Sequence, residues 1–231
     1  MNNFSTPIPD RDVRQRGLVP PERLARCHAI VIGVGAIGRQ VALQLAALGI
    51  ARMTLFDDDT VQAVNLAPQG YWPEDLQHFK VNATAELCRR IYPSLSITAV
   101  PERFKRSTLR EMPFDGDLII FCCVDSILTR RMIWESVRSS ASFFVDGRMS
   151  AEVLRVLAVS EPAVDDYYQR TLFAAEEAYA GACTTRSTIY TASIAAGWMV
   201  HQFAKWLRRL PVDADLMLNL LAAELNVGGA S

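Results

Sequence analysis

Paired cysteines, surplus charge of one sign and long apolar runs are all scarce in this sequence, and each shortage removes a class of protein. The cysteines Cys27, Cys88, Cys122, Cys123 and Cys183 form an odd set with no C-x-x-C pair. Such spacing offers neither a disulfide framework nor a paired-thiolate zinc site, so no zinc is expected and a reduced, cytoplasmic protein is. Lysine and arginine (24) nearly balance aspartate and glutamate (25), leaving a net charge of −1. With so little excess charge, neither nucleic acid nor an anionic membrane is expected as a partner. Met1 to Asp10 is polar and lacks an apolar secretory core, so secretion is not expected either. The longest apolar stretch, Ile189 to Val200, is followed by His201 and Lys205 and is too short to span a bilayer.

What is present suits a globular chain of 231 residues, 50% hydrophobic and 21% charged. His28 to Ile32 is a continuous, β-branched apolar run, as expected of a strand covered on both faces. Ile37, Val41, Leu45 and Leu48 follow at helical spacing and stop at Gly49, and Arg52 to Phe56 makes a second strand. Further along, Pro68, Gly70 and Pro73 predict a loop, Glu74 to Tyr92 a helix, Leu95 to Val100 and Leu118 to Val124 strands, and Ile127 to Val137 a helix. Phe143 to Asp146 and Val153 to Val159 read as strands, and Arg186 to Leu207 as a long helix. The alternation predicts an α/β, Rossmann-like, doubly wound fold. Its sheet is mainly parallel with helices on both faces, and strands and a long helix lie toward the C-terminus. Residues 1–26 read as a polar arm, 27–227 as one nucleotide-binding domain with 161–185 as a crossing loop, and 228–231 as a frayed tail.

Chemistry first shows at Gly33, Gly35 and Gly38, a G-x-G-x-x-G placed directly after a strand and opening a helix. The first glycine permits the turn, the second lets a phosphate approach the backbone, and the third lets helix and strand pack closely. Free N–H groups and the helix dipole favour an anion there. Asp57 follows about twenty residues later, at the end of the second strand, placed to accept ribose hydroxyls. To this point an NAD-dependent oxidoreductase fits as well as an ATP-using enzyme.

The residues that follow separate the two. Asp57-Asp58-Asp59-Thr60-Val61 runs on to Asn65-Leu66-Ala67-Pro68-Gln69, with Lys80 about eleven residues later, then Cys123-Val124-Asp125 and Arg130. This ordered series resembles the ThiF/MoeB/E1-like superfamily (HesA/MoeB/ThiF), the ubiquitin-activating-enzyme-like adenylyltransferases, over nearly the whole chain. The resemblance extends to Asp146-Gly147-Arg148-Met149 and to the stretch from Cys183 to Lys205. It implies ATP and Mg²⁺ as cofactors and adenylation of the C-terminal glycine carboxylate of a ubiquitin-like or sulfur-carrier protein, with thioester or sulfur transfer as a further step. It also implies a homodimer. By the same resemblance, Gly33, Gly35, Ala36, Gly38, Asp59 and Gln69 belong to the nucleotide site. Asp57 holds the ribose, Asn65 and Lys80 face the triphosphate, Asp125 holds the metal, and Arg130 supports Asp125. Arg14, within Val13-Arg14-Gln15, corresponds to an arginine that reaches the neighbouring subunit's nucleotide; as a plain sequence feature it is a solvated arm residue. Cys183 corresponds to a thiol that takes up the acyl group, or is a small buried residue.

The chain also departs from the pattern. Pro68 stands where N-L-x-R-Q has arginine, leaving Arg14, Arg39 or Arg148 to cover the missing cation. Ala36 replaces the common middle glycine, and His78-Phe79-Lys80 departs from G-x-x-K. Pro68 keeps open a second reading, an E1-like partner subunit with weak turnover or none.

Overall fold

The structure is a computed structural model that describes residues 11–112, 114–172 and 187–228. A single helical turn, α1 (Pro21–Leu24), has proline at its first position, where a missing N–H costs no bond. β1 (Cys27–Ile32) is buried at every residue but His28, as its unbroken apolar run requires. α2 (Ala36–Leu48) ends where Gly49 turns left-handed at φ 92°, and β2 (Arg52–Phe56) returns parallel to β1 with Ile32 beside Phe56.

Next come α3 (Ala63–Gln69), α4 (Lys80–Ile91), β3 (Ser96–Val100), α5 (Thr108–Glu111), β4 (Asp117–Cys122) and α6 (Ile127–Val137). The remaining elements are β5 (Phe143–Ser150), β6 (Val153–Val159), α7 (Tyr167–Arg170), α8 (Ile189–Leu207), β7 (Asp215–Asn219) and β8 (Glu224–Gly228). They form an 8-stranded sheet in the order β3-β2-β1-β4-β5-β6-β7-β8, parallel through β5 and antiparallel beyond it. The doubly wound α/β expectation therefore holds. From β1 the chain winds outward through β2 to β3, then crosses back to β4 on the other side of β1. The carboxyl ends of β1 and β4 thus form a topological switch point, where open sheets of this kind leave a crevice.

Two cores lie on the two faces of the sheet. Ala29 and Val31 pack with Val41 and Leu45 of α2 and with Ala195, Met199 and Phe203 of α8. On the other face, Ile30 and Ile32 pack with Ile133 and Trp134 of α6, Phe144 and Tyr168. Each large side chain so buried contributes about 1.5–3 kcal/mol relative to exposure. The sheet and α2 bury the α8 face that carries Ala192, Ala195, Ala196, Met199 and Phe203. No helix among the described residues is long and apolar enough to cross a membrane.

Several boundaries differ from the sequence reading: β5 runs on from Asp146 to Ser150, and the long helix starts at Ile189. Where Pro68 and Gly70 predict a loop, α3 forms: Gln62 and Asn65 make a reciprocal capping box, and Gly70 closes the helix at φ 72°. Pro68, inside this short helix, deprives it of one i→i−4 bond, so the helix is held by its capping box and by the Gly70 close. α4 starts at Lys80 rather than Glu74. Pro73–Asp75 makes a 3-10 turn instead, Gln77 turns left-handed at φ 69°, and Phe79 bridges Thr60, with Val61 N–H on His78 O (2.9 Å) and Gln77 N–H on Val61 O (3.0 Å). β8 reaches Gly228, one residue into the expected tail.

The tightest approach in the fold is at Gly38, where a Cβ would lie 1.8 Å from the Gly33 carbonyl oxygen. That atom is backbone and cannot swing aside. Gly38→Ala is therefore expected to cost about 3 kcal/mol, the top of the ordinary overpacking range, read as a lower urea midpoint at unchanged slope.

Candidate functional site

The glycine-rich turn is pinned on every side. Gly33 N–H donates to Phe56 O at 2.8 Å, and Cys123 N–H donates to Ile32 O at 2.8 Å, continuing the ladders of β2 and β4. Val34 N–H donates to Asp57 Oδ2 at 2.6 Å, while Val34 O accepts the buried Tyr71 hydroxyl at 2.7 Å. α2 then opens with Gly35 as its N-cap, and no described side chain caps it. Its first N–H groups and the positive end of its dipole are left for something else. A Cβ on Gly35 would meet nothing within 4 Å among the described residues, because this glycine faces a cavity of about 370 Å³. That volume is within the range of small-molecule sites.

The sequence-derived residues converge on this one space. Gly33, Gly35 and Ala36 form one wall, Asp57 and Asp59 the end of β2, and Asn65 and Gln69 the inner side of α3. Lys80 enters from α4, and Asp125 and Arg130 from the turn after β4 and from α6. Gly38 stands behind the turn, packed on Gly33. Arg14 is exposed and is not among the lining residues, and Cys183 lies outside the described residues. Arg39 stacks over the Tyr71 ring at 4.5 Å, and Arg148 is held by Asp146 and Thr171; neither lines the cavity.

Other wall residues went unassigned. Gly147 and Met149 follow Asp146 in β5, so the Asp-Gly-Arg-Met stretch was a usable signal, whereas nothing local marked Ile37 or Ser187. Cys123 reads from sequence as packed strand, yet it reaches the wall. Burial pushes its thiol well above the usual range.

At the cavity, Lys80, Asp57 and Arg130 each have partners within the protein. Lys80 is the first residue of α4, close to the positive end of that helix, and is only 5% exposed. A cation there is doubly disfavoured and calls for a negative partner. Asp59 supplies one at 2.7 Å, placed by the Lys80 N–H bond to Asp59 O (3.0 Å). Asp57 accepts two backbone N–H groups, from Val34 (2.6 Å) and Asp59 (2.9 Å). Burial nevertheless raises its pKa against those bonds. Arg130 is buried between Val124 O, Gly147 O and the Asp146 carboxylate.

Two features bear on what the cavity would hold. Gln69 Oε1 is buried at the wall with no partner among the described residues, leaving a polar end for a ligand. The exposed Asp125 carboxylate offers an oxygen ligand, which suits magnesium, an ion usually held by one or two carboxylates together with substrate phosphates.

The model of the ThiF family matches residues 10–225. The chain belongs to the ThiF family. Among curated ThiF-like relatives, it is 28% identical over 113 residues to the sulfur carrier protein ThiS adenylyltransferase of Escherichia coli (strain K12), covering 48% of this chain and 45% of that protein. It is 27% identical over 126 residues to the SAMP-activating enzyme E1 of Haloferax volcanii, covering 54% and 46%. The chain thus spans less than half the length of these relatives. Among solved structures, E. coli MccB with AMPCPP and MccA superposes with a TM-score of 0.75 at 15% identity, over 98% of this chain and 72% of that one. PaaA superposes with a TM-score of 0.72 at 20% identity, over 90% and 74%. At these identities the likeness is one of fold.

Two outcomes follow from the charges. Lys80→Met is expected to weaken a triphosphate nucleotide at least tenfold while changing AMP affinity less than threefold, read by calorimetry; equal losses would remove Lys80 from the triphosphate. Asp57, its pKa raised, loses its charge at a higher pH than a solvated aspartate does. Folded-state stability from this group therefore grows as pH falls through the raised value, while its capacity to accept hydrogen bonds as a carboxylate declines. Nucleotide affinity is expected to fall on acidification before the protein unfolds, and Asp57→Asn to flatten that limb.

Proposed function

We propose that this ThiF-family chain adenylates a carboxylate with Mg²⁺·ATP, the acceptor being the C-terminal glycine of a small ubiquitin-like or sulfur-carrier protein. The observation that carries the reading is the convergence of Lys80, Asp125 and Arg130 on the cavity that opens at the N-terminus of α2. An NAD-dependent oxidoreductase has no use for a buried lysine and a metal-binding carboxylate beside the phosphate wall.

In the reaction proposed, an acceptor carboxylate oxygen forms a bond to the α-phosphorus, and the bond from that phosphorus to the bridging oxygen breaks. Pyrophosphate leaves with the electron pair. The acceptor is already ionised at neutral pH, so no general base is required. Attack brings two anions together, and the residues on the wall offset that repulsion. Asp57 orients the ribose, the α2 N-terminus and Asn65 face the phosphates, and Lys80 exchanges its contact with Asp59 for the departing pyrophosphate. Asp125 would hold Mg²⁺, which when bound neutralises phosphate charge. In the same reading the protein is a cytoplasmic homodimer, and the exposed Arg14 arm reaches the second subunit's nucleotide. Attack of the Cys183 thiolate on the acyl carbon of the adenylate would follow, forming a thioester as the bond to the phosphate oxygen breaks and AMP leaves.

ATP–pyrophosphate exchange with small carrier proteins ending in glycine tests this. Exchange is expected only with carrier and Mg²⁺ together, to vanish when the carrier's last glycine is removed, and to fall about a hundredfold in Lys80→Met. Tight ATP binding with no exchange for any carrier would count against turnover. It would favour the second reading, a nucleotide-holding partner subunit, which rests on Pro68 in the last turn of α3.

A further inference from the structure

Behind the cavity wall lies a buried carboxylate to which the reaction above gives no role. Asp146, on β5, is fully buried at 0% exposure. One carboxylate oxygen meets the Arg130 guanidinium; the other accepts Arg148 Nε at 2.7 Å and the Tyr168 hydroxyl at 3.0 Å. Burying such a group gains little for stability, because a well-packed apolar replacement is commonly as stable or more so. What a buried ion pair does impose is geometry.

The geometry here is specific. Arg130 donates to Val124 O and to Gly147 O (3.2 Å) while paired with Asp146. A planar guanidinium that donates to two carbonyls from different elements and lies against a buried carboxylate is held in one orientation. It therefore straps the turn after β4 to β5, and Val124 is the residue immediately before Asp125. Arg148, fixed on the same carboxylate, donates to Thr171 O and Thr171 Oγ1, both at 3.1 Å. Two arginines share one carboxylate, so the group keeps a positive charge next to the cavity that Arg130 lines.

We propose that Asp146 is a positioning residue for adenylation: it orients Arg130, which in turn holds the Asp125 turn where a metal–phosphate group would sit. The proposal rests on the nucleotide reading of the cavity but names a residue that does not itself reach it. Asp146 is absent from the cavity wall, and its influence passes through Arg130.

A double-mutant cycle on the full chain tests it, with Asp146→Asn, Arg130→Met and the pair together. The readouts are affinity for a non-hydrolysable ATP analogue, with Mg²⁺ and with EDTA, and hydrogen–deuterium exchange across residues 123–126. Asp146→Asn is expected to weaken binding at least tenfold in Mg²⁺ and at least threefold less than that in EDTA, with faster exchange at 123–126. In the Arg130→Met background the same substitution should add less than twofold. Additive losses, or equal losses with and without metal, would make Asp146 merely structural and overturn the proposal, as would unchanged affinity and exchange. If Asp146→Asn does not fold, Tyr168→Phe removes one donor from the same carboxylate. It should quicken exchange at 123–126 more than elsewhere, and no such local change overturns the proposal. Failure of the wild-type chain to bind the analogue at all would instead refute the nucleotide reading.

Discussion

The fold depends most on the contact of Gly38 with Gly33, where helix and turn meet backbone to backbone with no room for a methyl group. Because α2 lies that close to β1, its first turn ends at the carboxyl edge of the sheet rather than over its face. The switch between β1 and β4 then opens directly in front of the helix N-terminus. Asp57 and Tyr71 hold Val34 from opposite sides of its peptide units, so the turn keeps its shape without a ligand. The cavity is therefore built into the scaffold, and a ligand entering it meets donors already aimed.

Charge at the cavity is balanced internally. Lys80 would be costly as a lone buried cation at a helix N-terminus, and Asp59 relieves that cost. Asp59 is largely exposed, so it can turn outward to water when an anion takes its place. Arg130 differs, because its partners are backbone carbonyls and a fully buried carboxylate that cannot leave. One cation is thus exchangeable and the other fixed. A site that releases an anionic product needs both, since a wall of fixed charge alone would hold the product too.

Much of this was legible from residue order. The first β-α-β unit follows from an apolar run, three glycines and a helical period, each a local signal. The alignment of Asp57, Lys80 and Asp125 on one cavity was legible only as a resemblance, since no local rule joins residues so far apart in sequence. The elements misread are those decided by tertiary contacts. Nothing local marks a break before Lys80, yet the left-handed turn at Gln77 and the bridge of Phe79 to Thr60 keep those residues out of α4. α3 forms across a proline because its capping box and Gly70 outweigh a breaker in its last turn. Asp146 was visible as part of a motif, but its burial by two arginines and a tyrosine depends on α6, β5 and α7 meeting.

Pro68 is where these considerations meet. In the family pattern an arginine stands there, on the helix that carries Asn65 and Gln69 into the cavity. Proline leaves the wall with Lys80 and Arg130, each already paired, while Arg39 and Arg148 are directed elsewhere. A triphosphate brings several negative charges, and two engaged cations offset them only in part. The remainder has to come from groups that are not in place beforehand: a metal on Asp125, and a cation carried in from outside the cavity. Under the proposed function, binding at this cavity is thereby made conditional. Affinity for ATP in this chain should depend more steeply on divalent metal than it would with a resident arginine, because the metal replaces a charge that the protein no longer holds ready.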